Sequence, residues 1–316
     1  MNISEEKDTR PIMVSIRCTA YNHEKYIRDA LDGFVMQKTN FRFEAIVHDD
    51  ASTDGTAAII REYAEKYPDI IKPIYETENQ YSKHDGSLAR IMNEACKGKY
   101  IAFCEGDDYW IDPFKLQKQV DILETDETIS MVYTDFNTVD NNGGKIDRER
   151  YLRIKEISGC GNMFAQLLQR GNFVMTLTTM FRRHVIQNAI IYNAPVQLDY
   201  LLILVASGYG NIYFLNEITG NYRWTPDGQM STNIKGVERS INIIKNYIEY
   251  VCITQNPFSL DKKVSLYIRR HFLRTIYSGH VRFYKKKDII KLIFAKPILL
   301  IDSIYVFFKY GIKKVI

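Results

Sequence analysis

The first 135 residues repeat one unit, which consists of a short apolar run, a polar turn and a segment with helical periodicity. The apolar runs are IMVSIRC, FEAIVH, IIKPIY, YIAFC and SMVYTDF, and the helical segments lie near 24–36, 54–66, 86–97 and 113–125. Apolar runs that alternate with helices indicate parallel strands joined by crossover helices. This alternation predicts an α/β fold with a mainly parallel sheet flanked by helices.

Polar turns follow three of these predicted strands. Thr19 and Tyr21 come after the first strand, Asp50 comes after the second, and the stretch CEGDDYW comes after the fourth. Ligands of open α/β sheets bind outside the carboxyl ends of the strands, so we expect these turns to share one edge of the sheet. Each turn alone also has a structural interpretation as a helix cap or as packing, and only their combination indicates a site.

The stretch CEGDDYW concentrates negative charge directly after an apolar run. It places Glu105, Asp107 and Asp108 within four residues. Like charges this close repel each other unless a cation, a proton or a set of donors compensates them. An isolated pair of aspartates after a strand more often forms a turn or caps a helix, so the surrounding motifs have to decide between the two interpretations.

Composition excludes several classes of protein. The chain has 46% hydrophobic and 25% charged residues, which is ordinary for a globular protein and unlike a disordered one. Its five cysteines are scattered, odd in number and form no C-x-x-C pair, which argues against a structural zinc site and favours a reducing compartment. The N-terminal residues show no basic start followed by a long apolar region, so we predict no secretory signal and a cytoplasmic location.

Four motifs together carry a family resemblance. They are TAYNHEKYIRDAL, EAIVHDDASTDGT, GKYIAFCEGDDYWIDPFKLQKQV and DYLLILVASGYGNIYFLNEITGNYR. Over roughly residues 12–225 the chain resembles a family 2 glycosyltransferase of the GT-A fold, from the bacterial branch that builds cell-surface polysaccharides such as capsule and lipopolysaccharide. The resemblance implies an inverting, metal-dependent transfer from a UDP-sugar to a hydroxyl of a growing glycan or a lipid-linked glycan.

The resemblance also implies roles for the polar turns. It assigns Thr19, Tyr21 and Asp50 to the nucleotide, with Tyr21 stacking on the base and Asp50 accepting a hydrogen bond from the uracil N–H. Asp107 is assigned to the ribose. The assigned metal ligands are Asp108 and Glu105, and Glu105 stands where the family usually has aspartate.

The expected ion is Mg²⁺ or Mn²⁺. These hard cations prefer oxygen ligands, often one or two carboxylates together with substrate phosphates. Transfer from a nucleotide sugar releases a diphosphate, whose developing charge such an ion stabilises. A bridging cation would therefore explain the crowded carboxylates.

Asp199, in QLDYLL, matches the family's general base, which removes the proton from the acceptor hydroxyl. Its alternative role is that of an acid favoured at a helix N-terminus by the helix dipole. Arg182 and Arg183 are candidates for contact with acceptor or phosphate, and Arg223 with Trp224 is a candidate for a closing loop. Packed or solvated roles stay open for all four.

Two other functions remain possible from the sequence. A metal-dependent nucleotidyltransferase is also rich in acids, but the chain has no G-x-x-x-x-G-K-[ST] loop. A non-catalytic, membrane-associated protein that binds nucleotide sugars would not need the four acids Asp50, Asp107, Asp108 and Asp199 together.

The C-terminal region is basic and apolar. Residues 261–316 contain 14 Lys and Arg against 3 Asp and Glu. Charges and a proline interrupt residues 285–316, so no run reaches the roughly 20 residues that a spanning helix needs. We predict that 285–316 lies on the inner face of the cell membrane with its lysines towards anionic headgroups, and we expect no nucleic acid partner. A packed helix pair is the alternative.

The predicted organisation has two parts. A GT-A domain occupies 1–235, with a nucleotide-binding half at 1–135 and an acceptor half at 136–235. A helical, basic and apolar extension occupies 236–316.

Overall fold

The computed structural model describes residues 8–83, 85–147, 158–164, 166–167, 172–187 and 198–224. The extension predicted at 236–316, its boundary and the membrane segment at 285–316 lie outside these residues and stay predictions. No helix in the described ranges is both long and apolar enough to cross a membrane.

The described residues form the following elements. The strands are β1 Ile12–Ala20, β2 Arg42–Asp49, β3 Ile71–Tyr75, β4 Tyr100–Phe103, β5 Tyr109–Trp110, β6 Ile129–Val139, β7 Met180–Arg182 and β8 Asn211–Arg223. The helices are α1 Ile27–Val35, α2 Thr56–Lys66, α3 Ser87–Ala95, α4 Lys115–Thr125, α5 Arg183–Ile186 and α6 Leu198–Tyr209. Single 3₁₀ turns occupy Tyr81–Lys83 and Thr176–Thr178. The five strands and four helices expected in the first 135 residues are confirmed.

One sheet joins all the described strands in the order β3-β2-β1-β4-β7-β6-β8-β5. Of the seven pairings among them, four are parallel, while β7 runs antiparallel to both β4 and β6 and β5 runs antiparallel to β8. The α/β fold with a mainly parallel sheet is thus confirmed. The division predicted at residue 135 falls within β6, so both halves contribute strands to the same sheet.

Helix α1 shows how the helices cover the sheet. Its residues Ile27, Ala30, Leu31 and Phe34 are fully buried, and this spacing places them on one face of a helix. The ring of Phe34 meets that of Trp110 edge to face, with centroids 5.2 Å apart. Burial of each large apolar side chain contributes roughly 2 kcal/mol. This packing fixes α1 against the residues that follow β4.

The carboxyl ends of β1, β2 and β4 meet at one edge of the sheet. Ala20 is the register partner of Asp49, and the Asp50 N–H donates to the Ala20 carbonyl at 2.9 Å. The Gly106 N–H donates to the Thr19 carbonyl at 3.0 Å. The three polar turns therefore lie side by side, as the strand order predicts.

Candidate active site

Hydrogen bonds join the turn after β1 to the turn after β2. Oδ1 of Asn22 accepts from the Thr53 N–H at 2.8 Å, and the Asn22 N–H donates to Oγ of Ser52 at 2.9 Å. Asn22 and Ala51 have φ angles of 55° and 62°, in the left-handed region that costs a non-glycine residue about 1–2 kcal/mol. Strained backbone of this kind is held only where its surroundings fix it, and it is common at functional sites.

Asp50 is held by backbone amides. The residue is 2% exposed, and its two carboxylate oxygens accept from the N–H groups of Gln80 at 2.7 Å and Tyr81 at 3.0 Å. Each carboxylate oxygen can accept a second hydrogen bond, so both oxygens keep a position at which a ligand N–H could donate. Beside it, Tyr21 exposes 47% of its surface and is available for stacking.

Glu105 is coupled to the end of β1. The hydroxyl of Thr19 donates to Oε2 of Glu105. Burial raises the pKa of Glu105 to about 7, while the Thr19 hydrogen bond and the charge of Arg17 lower this pKa and the charges of Asp107 and Asp199 raise it. Thr19 therefore stabilises the ionised form of Glu105, and Asp107 and Asp199 lie close enough to Glu105 for their charges to disfavour that form.

Asp108 is the most enclosed of the three clustered acids. It is 6% exposed, and its Oδ1 accepts the backbone N–H of Arg223 at 2.8 Å. Desolvation raises the pKa of Asp108 well above its usual value, the charge of Asp107 raises it further, and the Arg223 N–H lowers it. A proton or a cation would relieve this unfavourable charge.

The loop that carries these acids, residues 104–108 (the acidic loop), is pressed against β1. A Cβ added to Gly106 would lie 2.9 Å from Nδ1 of His23 and 3.0 Å from Cβ of Ala20. Such distances are shorter than van der Waals contact, so glycine at this position allows the close approach. Packing thus holds the acidic loop against Ala20 and His23, which follow Thr19 in the chain.

Arg223 fixes the other side of the acidic loop. It is 4% exposed, and its guanidinium donates to the Asp107 carbonyl at 2.9 Å, the Asn141 carbonyl at 3.1 Å and the Asp29 carboxylate at 2.6 Å. The guanidinium also lies 4.7 Å from the ring centroid of Tyr26. Of the two roles left open by the sequence, the described geometry places Arg223 in a packed position at the end of β8.

The substitution Arg223→Met is expected to lower the free energy of unfolding by about 2–4 kcal/mol, because it removes the hydrogen bonds of a guanidinium that is itself buried. Asp29→Asn should cost less than about 1 kcal/mol, since Asp29 is half-exposed and can be hydrated. Urea unfolding measures both. The matched control is Arg28→Met, which removes an exposed pair with Glu62 and a contact with the ring of Tyr63. A loss for Arg223→Met no larger than for this control would contradict the assignment.

Asp199 lies near the start of α6 and faces the acidic loop. The residue as a whole is exposed, but many protein atoms surround its carboxyl group. The resulting loss of solvation raises the pKa of that carboxyl. The charge of Arg17 and a hydrogen bond with Thr176 lower that pKa. Asp199 lines a small recess together with Phe103 and Thr176. The carboxylate predicted as base is therefore beside the clustered acids.

Arg182, the last residue of β7, and Arg183, the first residue of α5, bond backbone carbonyls away from those acids. Arg182 donates from Nε to the Ile129 carbonyl at 2.6 Å, and its guanidinium lies 5.7 Å from the ring centroid of Tyr100. Arg183 donates to the Lys97 carbonyl at 3.3 Å. Both arginines donate hydrogen bonds to backbone carbonyls, which agrees with the packed role that the sequence left open.

Metal binding at the acidic loop needs ligands beyond the protein. In the part of the chain that the structure describes, no three His, Cys, Asp or Glu residues are grouped so as to hold a metal ion. Mg²⁺ and similar cations are often bound by one or two carboxylates with substrate phosphates. Asp108 and Glu105 supply oxygen ligands of this kind, so the donor set fits a divalent cation shared with a diphosphate.

Comparison with known proteins shows which family this sequence belongs to. The model for "Glycosyl transferase family 2" matches residues 15–189, which is more than half of the chain and includes the turns after β1 and β2 and the acidic loop. The chain belongs to glycosyltransferase family 2. Asp199 lies beyond the matched range, so its assignment depends on its position beside the acidic loop.

Two curated proteins illustrate the range of sequence similarity. The uncharacterized protein Mb1547 of Mycobacterium bovis is 36% identical over 210 residues, which are 66% of this chain and 58% of that protein. WfgD of Escherichia coli, named as a UDP-Glc:alpha-D-GlcNAc-diphosphoundecaprenol beta-1,3-glucosyltransferase, is 24% identical over 242 residues, or 75% of this chain and 87% of WfgD. The chain thus spans 58% of the length of its mycobacterial relative.

Among solved structures, Staphylococcus aureus TarS in complex with UDP-GlcNAc is similar, with a TM-score of 0.61 and 18% identity. The likeness covers 89% of this chain and 80% of the TarS chain. At this identity the likeness concerns the fold, and it confirms the GT-A architecture predicted for this family 2 member.

Proposed function

We propose that this chain is an inverting, divalent-metal-dependent glycosyltransferase that moves a sugar from a UDP-sugar to a hydroxyl of a cell-surface glycan or a lipid-linked glycan. The observation that carries the proposal is the meeting of Asp50, the acidic loop and Asp199 at one edge of the sheet in a family 2 chain. WfgD is named for a UDP-sugar donor, and TarS binds UDP-GlcNAc. Residues 285–316 would contact the inner face of the membrane.

The nucleotide would lie over the turns after β1 and β2. Asp50 would accept the uracil N–H while the amides of Gln80 and Tyr81 keep its carboxylate in place. Tyr21 would stack on the base, and Thr19 and Asp107 would complete the nucleotide site. The hydrogen bonds between the two turns orient these groups before the donor binds, which reduces the entropy lost on binding.

The diphosphate would meet the acidic loop. Asp108 and Glu105 would hold Mg²⁺ or Mn²⁺, which when bound neutralises charge on the departing diphosphate. Arg223 keeps the acidic loop in its observed position through the Asp107 carbonyl. The carboxylates of the acidic loop would thus hold the cation at the place where the leaving group gains negative charge.

The acceptor hydroxyl would lose its proton to Asp199. The N-terminal end of α6 favours a carboxylate there through the helix dipole, and the charge of Arg17 also favours the ionised form. Attack on the anomeric carbon from the side opposite the diphosphate would invert its configuration. Asp199 would act in this step as a general base.

A donor panel tests the proposed function. The full chain is incubated with Mn²⁺, a lipid-linked glycan acceptor and, in turn, UDP-glucose, UDP-galactose, UDP-N-acetylglucosamine and UDP-glucuronate. We expect UDP release with one donor and a product of inverted configuration by NMR. Diphosphate release from a nucleoside triphosphate would instead identify a nucleotidyltransferase, and UDP-sugar binding without any turnover would identify a binding protein.

A further inference from the structure

Arg17 is a buried arginine to which the proposed function assigns no ligand. It lies on β1, is 6% exposed, and its Nη1 is buried without a hydrogen-bond partner. Within the described ranges its side chain forms no hydrogen bond or ion pair, and its contact is with the ring of Phe103, whose centroid is 5.2 Å from Cζ. A buried charge without an acceptor is strongly unfavourable, so this position needs an explanation.

Arg17 lies close to residues of the candidate site. Alternate residues of a strand share a face, so Arg17 lies on the same face of β1 as Thr19, which bonds Glu105. Its register partner on β4 is Phe103, and Phe103 lines the recess that contains Asp199. The charge of Arg17 lowers the pKa of both Glu105 and Asp199, yet neither carboxylate pairs with it directly.

The side chains of Arg17, Glu105 and Asp199 indicate which chemical group could bind to them. A guanidinium only donates hydrogen bonds and an ionised carboxylate only accepts them, whereas a hydroxyl does both. Arg17 already acts electrostatically on two carboxylates, so a further anion there would add to the negative charge. A neutral sugar hydroxyl can accept from Arg17 and donate to Glu105 or Asp199 without changing the charge.

We propose that Arg17 binds a hydroxyl group of the sugar being transferred and thereby selects the donor. The inference rests on the proposed function, because it assumes that the acidic loop holds a sugar nucleotide. A hydroxyl that accepts from Arg17 and donates to Glu105, a residue of that loop, would belong to the donor and not to the acceptor. The same arrangement disfavours a donor sugar that carries a carboxylate next to Arg17, such as a glucuronate.

Binding measurements with and without the sugar test the proposal. Isothermal titration with Mn²⁺ compares UDP with the UDP-sugar that is turned over in the donor panel, for the full-length wild type, Arg17→Met and Arg17→Lys. Loss of a hydrogen bond to a charged group costs about 10- to 100-fold. We expect Arg17→Met to weaken UDP-sugar binding by that factor and UDP binding by less than about twofold, with Arg17→Lys intermediate.

Mono-deoxy analogues of the same donor identify the hydroxyl. Removing the hydroxyl that Arg17 binds should weaken wild-type binding and leave Arg17→Met unaffected, because a pair that interacts gives non-additive losses. The matched control is Arg183→Met, which removes an arginine whose buried Nε also lacks a partner. This control should bind both ligands as the wild type does.

Each other outcome overturns the proposal. Equal weakening of UDP and UDP-sugar would make Arg17 a structural residue, and unchanged UDP-sugar affinity would remove it from the site. If every deoxy analogue remained sensitive to Arg17→Met, the bound group would not be a hydroxyl. Should Arg17→Met fail to fold by circular dichroism, Arg17→Lys decides by the same comparison. A wild type that binds no UDP-sugar would overturn the proposed function itself, whereas normal binding with no Arg17 dependence overturns only this inference.

Discussion

Replacement of Asp108 by asparagine is expected to abolish sugar transfer, with a loss of roughly 10³-fold or more, because a metal ion supplies several kcal/mol of stabilisation to a departing diphosphate. Asparagine has the shape of aspartate and still offers Oδ1 to the Arg223 N–H, which lies 2.8 Å away. The acidic loop should therefore keep its conformation while it loses one negative charge. The loss would then report on cation binding and not on folding.

The measurement compares transfer and Mn²⁺ affinity in the wild type and Asp108→Asn. EDTA should inactivate the wild type, and added Mn²⁺ or Mg²⁺ should restore it. The matched control is Asp112→Asn, which removes an aspartate that pairs with Lys118 outside the acidic loop. Wild-type transfer that continues in excess EDTA would contradict the role of Asp108.

Asp199→Asn is expected to lower transfer by about 10²–10⁴-fold, the usual effect of losing a general base. UDP and Mn²⁺ should bind as in the wild type, since the proposed contacts of both lie on other residues. Glu217→Gln is a suitable control, because Glu217 is an exposed acid of β8 that pairs with Lys118. Near-normal turnover in Asp199→Asn would remove Asp199 from the mechanism.

The same substitution should change the pH dependence. Desolvation raises the pKa of Asp199 above that of an ordinary aspartate, and a base acts only when ionised. Wild-type kcat/KM should thus fall on acidification at a higher pH than an ordinary aspartate would give. Glu105, whose pKa is about 7, titrates as well, so the contribution of Asp199 is the part of the acidic decline that disappears in Asp199→Asn. A product that keeps the anomeric configuration of the donor would exclude a single displacement altogether.

Local sequence patterns were sufficient to predict most strands and helices, but one segment shows their limit. The apolar run FVMTLTTMFRR predicts a strand, whereas only Met180–Arg182 forms one and Thr176–Thr178 forms a 3₁₀ turn. The hydroxyls of Thr178 and Thr179 donate to the carbonyls of Met175 and Thr176. Such side-chain bonds to nearby backbone compete with strand pairing and are invisible in an apolar pattern.

The candidate site also contains some groups that the sequence predicts and others that it does not. Asp50 and the acidic loop could be proposed from the sequence because their proposed roles depend on their own side chains. The groups that hold Asp50 are backbone amides of Gln80 and Tyr81, which any residue except proline supplies. In the sequence, Arg17 is one residue of a predicted strand. Its proposed role depends on neighbours more than 80 residues away, such as Phe103. Only the register of β1 with β4 brings these groups together.

The anchoring of the acidic loop by Arg223 has a consequence for synthesis on the ribosome. Strands β1 to β4 can pair as soon as they emerge, but β5, which directly follows the acidic loop, pairs within the described sheet with β8 alone. The hydrogen bond to Asp108 and the link to Asp29 likewise come from residue 223. A nascent chain that ends before β8 therefore lacks the contacts that shape its carboxylate cluster, and the growing polypeptide acquires that cluster in its final form only after most of the domain has been translated.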